Sequence, residues 1–328
     1  MKPDSSTPGT RTGMGSVIAL CAVAGAITVA ATLTLGKTSP AFTRNVAART
    51  SIGATEEYGK RLISQTPEYL GPDAADPNMR RMDGRLACAS CHIGDGVEPG
   101  NLSLAVAFTK YPRISPRTNG NETIQDRING CMTRSMNGRA LPENSPEMAA
   151  MVSYLRFLAE QDAATGAAQR ASHDPPAFKT PKRAADLKAG EGVFAKRCAA
   201  CHGLDGAGLA AAPDLVHGFV FPPLWGPNSF NDGAGMHRVL TAARFIKARM
   251  PLGSSDLNDD DAFDVAALIN SRPRPEMNDL ERDYPDRSKK PVDTGYLPFA
   301  DPFPLRQHQF GPFQPIEAFY KNANPPAK

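Results

Sequence analysis

Two pentapeptides in this chain place two cysteines and a histidine at a spacing that can bind haem. Residues 88–92 read Cys-Ala-Ser-Cys-His, and residues 198–202 read Cys-Ala-Ala-Cys-His. In this pattern the two cysteine sulfurs can form thioethers with the haem vinyl groups, and the adjacent histidine supplies a neutral imidazole to the iron. The chain has only six cysteines and six histidines, so two such pentapeptides indicate two covalently bound haem c groups. The predicted attachment residues are Cys88, Cys91, Cys198 and Cys201, and the predicted histidine ligands are His92 and His202.

Two other chemistries use paired cysteines. A thioredoxin-like redox pair is one alternative, and a zinc site that combines the four motif cysteines is the other. Both leave the histidine after each pair without a role, so the haem interpretation is favoured.

The reactivity of each haem depends on the residue that approaches the iron from the opposite side. In the second half Met250 precedes Pro251 and a predicted helix. A thioether ligand raises the reduction potential and suits electron transfer, so Met250 is the predicted ligand. The alternatives in this half are Met236, His237 and Lys247.

In the first half Cys131 is the cysteine left over, because Cys21 lies in the apolar amino-terminal segment. A helix through this region would gather Arg127, Arg134 and Ser135 on the same face as Cys131. Iron would hold the sulfur as thiolate, and thiolate ligation lowers the potential. The alternative is a solvated arginine face with a methionine ligand, either Met132 or Met136.

Helical patterns surround both motifs. The first motif lies between two predicted helices, one over Thr55–Thr66 and one that starts at Ser145–Glu147. The second motif lies between predicted helices over Ala185–Arg197 and Asp260–Ser271. This arrangement predicts an all-α fold of two tandem class I cytochrome c domains.

Length and composition agree with two loop-rich domains. The chain has 328 residues, and its 28 glycines and 30 prolines exceed average usage. A formal charge of +3 argues against a protein dominated by nucleic-acid contacts. The last 50 or so residues combine proline with aromatics and lack helical periodicity, which predicts an extended strap packed on the domains. The predicted divisions are a signal or anchor segment with its linker at 1–50, a first haem domain at 51–165, a linker at 166–182, a second haem domain at 183–275 and a carboxy-terminal extension at 276–328.

The amino terminus predicts export. Residues 15–36 carry no charge and are apolar throughout. They suit an uncleaved membrane anchor, a signal peptide removed near residues 39–41, or a buried core helix. The first two interpretations both place the body of the protein in the periplasm.

Several segments together resemble the TsdA-type, tetrathionate-forming thiosulfate dehydrogenases. They are Ile128–Gly138 (INGCMTRSMNG) with Arg117 and Arg127, Ser288–Asp293 (SKKPVD) and Gly311–Ile316 (GPFQPI). The resemblance covers nearly all of the chain after the apolar segment. It implies that His92 and Cys131 ligate haem 1 and that His202 and Met250 ligate haem 2. It also implies a substrate site lined by Arg117, Arg127 and Ser135.

Two positions depart from that family. Gly203 stands where some members have glutamine, and Arg249 stands where some have lysine before the distal methionine. A guanidinium is always charged and is a poor iron ligand, so at Arg249 the resemblance gives no expectation of a lysine-to-methionine ligand exchange at haem 2.

The implied reaction joins two thiosulfate dianions into tetrathionate. At 4 Å in water their repulsion is about 4 kcal/mol, so arginines are needed to neutralise the pair. The hypothesis is that Cys131 is both ligand and reaction centre, and that electrons leave through haem 2 to an external acceptor such as a small cytochrome c or another periplasmic redox protein. The alternatives are a non-catalytic di-haem electron-transfer cytochrome, a Sox-type thiosulfate-binding haem subunit and an enzyme running in the tetrathionate-reducing direction. A di-haem peroxidase is disfavoured, because it needs an open iron position that Cys131 would occupy.

Overall fold

Where the structure describes it, the polypeptide is mainly helical, and its strands form two short hairpins. The computed structural model describes residues 52–98, 102–165, 177–211 and 218–323. The predicted export or anchor segment, residues 15–36, lies outside this described part. Within the described residues, no helix is long and apolar enough to cross a membrane.

The first half is built on two crossing helices, α1 (Ala54–Ser64) and α4 (Pro146–Thr165). Gly59 lies at the crossing, where a Cβ atom would lie 2.1 Å from the carbonyl oxygen of Ala150. The absence of a side chain therefore allows the two backbones to approach closely. A core of apolar residues forms around this pair. It includes Leu62, Leu70, Ile128, Met132, Met148 and Leu155.

Shorter elements connect these helices. Helix α2 (Thr66–Leu70) follows α1, and strands β1 (Arg113–Ile114) and β2 (Asn121–Glu122) pair antiparallel. Helix α3 (Ile124–Arg134) then begins at a capping box, in which the Thr123 hydroxyl accepts from the Asp126 N–H and the Asp126 carboxylate accepts from the Thr123 N–H.

The second half repeats the same plan. Helix α5 (Leu187–Arg197) leads into α6 (Ala199–His202), and α7 (Val239–Arg249) and α5 both pack against α8 (Asp259–Ser271). Between α6 and α7, strands β3 (Leu209–Ala210) and β4 (Phe219–Phe221) form the second hairpin. The apolar side of α8 is fully enclosed. Its buried residues include Phe263, Val265, Ala266 and Leu268.

Each helix predicted within the described ranges is present, and its ends lie within a few residues of the predicted ends. The all-α prediction is confirmed. Helix α8 is the best example, because three aspartates occupy its first turn and the Asn258 side chain accepts from the Asp261 N–H, as a helix start requires.

The carboxy-terminal extension differs from the expected extended strap. It is irregular through two 3₁₀ turns, at 280–282 and 287–289, and then forms helices α9 (Leu305–Phe310) and α10 (Gln314–Ala323). Helix α10 forms because Ile316, with no exposed surface, packs into the core of the second half. Helix α9 has only six residues and is too short to show a period. In α10, Ile316, Phe319, Tyr320 and Ala323 do follow the i, i+3, i+4, i+7 spacing of an amphipathic helix, which the prediction of an extended strap missed.

The extension contacts both halves. The Asp293 carboxylate accepts from Arg238 Nε at 2.9 Å and from the Leu240 N–H at 3.0 Å in the second half. On the first half, the Tyr284 N–H donates to the carbonyl oxygen of Arg117 at 2.7 Å. The segment is therefore part of one compact unit with both haem-binding halves.

Candidate haem and substrate sites

The two motif histidines are held in the tautomer that an iron ligand needs. His92 Nδ1 lies 2.6 Å from the carbonyl oxygen of Leu102, and His202 Nδ1 lies 2.8 Å from the carbonyl oxygen of Pro222. A carbonyl oxygen only accepts, so Nδ1 carries the proton and Nε2 keeps its lone pair. Burial lowers the pKa of both imidazoles, which favours the neutral form. This donor set fits haem iron in both halves.

The motif cysteines lie in short turns beside these histidines. Cys88 starts a 3₁₀ turn, and Cys201 lies within α6. Thr66 Oγ1 lies 3.5 Å from Cys88 Sγ and accepts from the Cys88 N–H at 3.1 Å, so a residue of α2 fixes the first motif. Burial raises the pKa of Cys88, Cys91 and Cys198 to about 11, which keeps these thiols neutral before they form thioethers.

The two cysteine pairs do not combine into a zinc site. In the described part of the chain, no group of three or more His, Cys, Asp or Glu side chains is arranged to hold a metal ion. Each cysteine pair instead lies beside the histidine of its own motif.

Helix α3 brings Cys131 to the first motif. The electrostatic influence of Cys131 contributes, after burial, to the raised pKa of both Cys88 and Cys91, so Cys131 lies on the side of α3 that faces the first motif. Cys131 itself is half-buried. The two methionine alternatives, Met132 and Met136, are instead part of the hydrophobic core. The arrangement favours Cys131 over both, and its ligation of iron stays a prediction.

Arg127 lies beside Cys131 and keeps its guanidinium free. The Cys131 sulfur is the largest cause of the raised pKa of Arg127, and Arg127 in turn contributes to the lowered pKa of His92. Tyr111 also borders this group: burial raises its pKa, and Arg127 opposes the rise. No residue in the described ranges forms an ion pair with Arg127. Its guanidinium is thus available to an anion near the sulfur.

Arg117, predicted to bind substrate, has a carboxylate partner. Its Nη1 lies 2.5 Å from Asp283 Oδ2, and the same carboxylate binds Arg134 through a bidentate pair at 2.8 and 2.9 Å. The pattern on α3 places Arg134 one turn from Cys131, but its guanidinium is directed to the extension. The pattern could not reveal Asp283, because no local periodicity links it to either arginine.

Ser135 occupies the end of α3. It is the residue after the last helical position, its N–H donates to the carbonyl oxygen of Cys131, and it is half-buried. Its place in the substrate site stays a prediction.

In the second half Met250 directly follows α7. Its N–H donates to the Ile246 carbonyl oxygen at 2.8 Å, and its side chain packs against the core. Met236 packs there as well. Lys247 forms an ion pair with Asp259 at 3.0 Å, and His237 Nδ1 lies 2.8 Å from the Asp232 carbonyl oxygen.

Gly203 and Arg249, the two positions that differ from some members of the family, each have a local structural explanation. Gly203 ends α6 with φ 77°, a left-handed conformation in which a Cβ atom would lie 2.6 Å from Asp205 Oδ1, so glycine is favoured. Arg249 Nη1 lies 3.2 Å from Glu98 Oε1, and this pair joins the two halves.

Two helical domains, each with a Cys-X-X-Cys-His turn and a carbonyl-held histidine, define a di-haem cytochrome c with two covalently bound haem c groups. Residues 78–162 match the family model described as SoxA/TsdA, cytochrome c domain, and residues 185–269 match that described as cytochrome C oxidase, cbb3-type, subunit III. The prediction of tandem class I cytochrome c domains is confirmed.

Comparisons with known proteins over about 70% of the chain identify its family. The chain is 40% identical to the thiosulfate dehydrogenase of Allochromatium vinosum over 230 residues, which is 69% of this chain and 80% of that protein. It is 42% identical to the thiosulfate dehydrogenase of Psychrobacter arcticus over 239 residues, which is 71% of this chain and 68% of that one. The chain therefore belongs to the thiosulfate dehydrogenase family.

A solved structure supports the same assignment. The "as isolated" form of thiosulfate dehydrogenase (TsdBA) from Marichromatium purpuratum matches with a TM-score of 0.60 and 33% identity over 70% of this chain. The match spans about half, 49%, of that solved chain.

Proposed function

We propose that this protein oxidises two thiosulfate ions to one tetrathionate ion at the site around Cys131 and passes two electrons through the second haem domain to an external acceptor. The observation that carries the proposal is the free guanidinium of Arg127 beside the Cys131 sulfur. A charged group with no partner next to a nucleophilic sulfur is suited to bind an anion that reacts there.

In this proposal the arginines supply positive charge, and Cys131 supplies the reacting sulfur. Arg127 binds the sulfonate oxygens of a thiosulfate and orients its outer sulfur toward Cys131. The cations of Arg117 and Arg134 exceed the charge of Asp283 by one, so this group also contributes a positive field. These positive charges offset the repulsion between the two dianions, about 4 kcal/mol at 4 Å in water.

The proposed bond changes take place at the Cys131 sulfur, and they balance in atoms and electrons. The outer sulfur of the first thiosulfate forms a disulfide bond with the Cys131 thiolate sulfur as two electrons are removed. The outer sulfur of the second thiosulfate then attacks the outer sulfur of the first, and Cys131 leaves as thiolate. The haem groups held by the two motifs supply the acceptors for the two electrons when bound.

The comparison of Cys131→Gly with Gly130→Ala tests this proposal. Gly130 precedes Cys131 on α3, and a Cβ atom there would meet nothing within 4 Å. With thiosulfate and ferricyanide, the wild type and Gly130→Ala should form one tetrathionate per two ferricyanide reduced. Cys131→Gly should keep both haems and lose activity. Retained turnover in Cys131→Gly would refute the mechanism, and no tetrathionate from the wild type would favour a purely electron-relaying cytochrome.

We also propose a periplasmic location, with residues 15–36 acting as a membrane anchor or removed signal, and an acceptor that is a small cytochrome c or another periplasmic redox protein. The absence of charge in residues 15–36 supports export. Fractionation of cells that express the full chain tests it: haem protein in the cytoplasmic fraction would contradict the proposal.

A further inference from the structure

One buried carboxylate of the extension holds two arginines of the first haem domain. Asp283 is 7% exposed. Its Oδ2 accepts from Arg117 Nη1 at 2.5 Å and from Arg134 Nη1 at 2.9 Å, and its Oδ1 accepts from Arg134 Nη2 at 2.8 Å. The Tyr296 hydroxyl also donates to Oδ2, at 2.6 Å. Two guanidinium groups that would otherwise repel each other are thus fixed side by side.

The carboxylate is itself held in place. The Asp283 N–H donates to the Leu280 carbonyl oxygen at 3.1 Å, and Arg287 donates to the Asp283 carbonyl oxygen. Around Tyr296, the Lys290 ammonium donates to the carbonyl oxygens of Tyr296 and Pro298 at 2.6 and 3.0 Å. The backbone and the neighbouring loop therefore restrict where the carboxylate can be.

Each arginine has a second contact that sets its direction. The Arg117 guanidinium lies 5.2 Å from the centre of the Tyr284 ring, and the Tyr284 N–H is bonded to the Arg117 carbonyl oxygen. Arg134 Nη1 donates to the Gly233 carbonyl oxygen of the second half at 3.2 Å. Together these contacts fix the end of α3, one turn after Cys131.

Arg117, one of the two arginines that Asp283 binds, lies near Arg127. Arg117 is close enough to Arg127 to oppose the rise in its pKa. The cluster therefore places fixed positive charge behind Arg127 and Cys131, and leaves Arg127 as the guanidinium without a carboxylate partner among the described residues.

We propose that Asp283 is a positioning residue: it holds Arg117 and Arg134 as a fixed cationic pair and thereby places α3, with Arg127 and Cys131, for reaction with a sulfur oxyanion. The active site is then shared between the first haem domain and the carboxy-terminal extension. This inference rests on the proposed function.

Asp283→Asn and Asp283→Glu test this role, with Asp279→Asn as the control. Asp279 belongs to the same extension, and its side chain is 60% exposed. Asp283→Asn should keep both haems and lower kcat for thiosulfate by roughly 100-fold, the cost expected for a misplacement of about 1 Å. KM should change by less than about threefold, because Arg127 remains. Asp283→Glu should recover part of kcat, and Asp279→Asn should match the wild type.

Two kinetic outcomes would overturn the inference. A fall in thermal stability with kcat and KM unchanged in the folded Asp283→Asn holoprotein would make the residue structural only. Wild-type kinetics in Asp283→Glu would mean that charge alone, without position, suffices. If Asp283→Asn does not fold, Tyr296→Phe decides, because it removes one donor to Asp283 and no charge: kcat should fall severalfold, and a wild-type kcat would refute the role.

A spectroscopic readout separates this inference from the proposed function. If the wild type does not oxidise thiosulfate, the proposed function fails, and the low-spin paramagnetic-resonance signal of the oxidised holoprotein still reports on Cys131. Asp283→Asn should shift or broaden that signal relative to Asp279→Asn. Identical signals in the two variants would overturn the positioning role.

Discussion

Gly190 of α5 faces the backbone of Asp264 in α8 so closely that a Cβ atom on Gly190 would lie 2.4 Å from the Asp264 carbonyl oxygen. The same relationship joins Gly59 of α1 to Ala150 of α4 in the first half. In each domain the first helix therefore packs against the last helix at a glycine. In both cases the absence of a side chain lets the two backbones approach closely.

Alanine at position 190 should destabilise the second domain. The added methyl group would push α5 and α8 apart, at a cost of about 1–3 kcal/mol. Gly192 on the same helix is the matched control, because nothing lies within 4 Å of its Cβ position. Gly192→Ala should instead stabilise by about 0.5–1 kcal/mol through helix propensity. Thermal unfolding of the two holoproteins measures both effects, and equal shifts would contradict the close contact.

Removal of the Arg127 guanidinium should weaken catalysis directly. Arg127→Gln deletes the charge beside Cys131 and should lower kcat/KM for thiosulfate by about 10- to 100-fold, the loss of one charge-assisted hydrogen bond. Arg282→Gln removes the same charge from a side chain that is 77% exposed, so its kinetics should stay close to those of the wild type. Equal losses in both variants would indicate a general charge effect.

Met250 should control the potential of the second haem. Loss of the thioether in Met250→Leu should lower the reduction potential measured by optical redox titration. Met236→Leu is the control, since Met236 packs against the same core. A potential that moves only in Met236→Leu would reassign the ligand.

Lys290 should make stability depend on pH above neutrality. Burial, with a contribution from Arg287, lowers its pKa from 10.5 to about 8. Between these values the unfolded chain binds more protons than the native protein, so unfolding becomes less favourable as the pH rises. The melting temperature of the wild type should therefore rise relative to Lys290→Met between pH 8 and pH 10.5.

The neighbouring lysine provides the control for that titration. Lys289 is exposed, and Lys289→Met keeps Lys290. The melting temperature of this variant should change with pH in the same way as that of the wild type. A wild-type slope in Lys290→Met would contradict the assignment.

The local parts of the site could be predicted from the sequence. The Cys-X-X-Cys-His turns contain the attachment chemistry within five residues, and the spacing of Arg127 and Cys131 on one helix is set by helical geometry. The pairing of Arg134 with Asp283 could not be predicted in this way, because 149 positions separate the two residues. Their contact depends on how the extension folds back over both domains, and no periodic pattern records that path.

The place of Asp283 also makes the site depend on sequence outside the first haem domain. That domain contains the first haem motif, Cys131, Arg117 and Arg127, whereas the carboxylate shared by Arg117 and Arg134 comes from the carboxy-terminal extension. A transfer of the first haem domain into another cytochrome would therefore have to include the matching part of the extension, because the domain alone lacks that carboxylate.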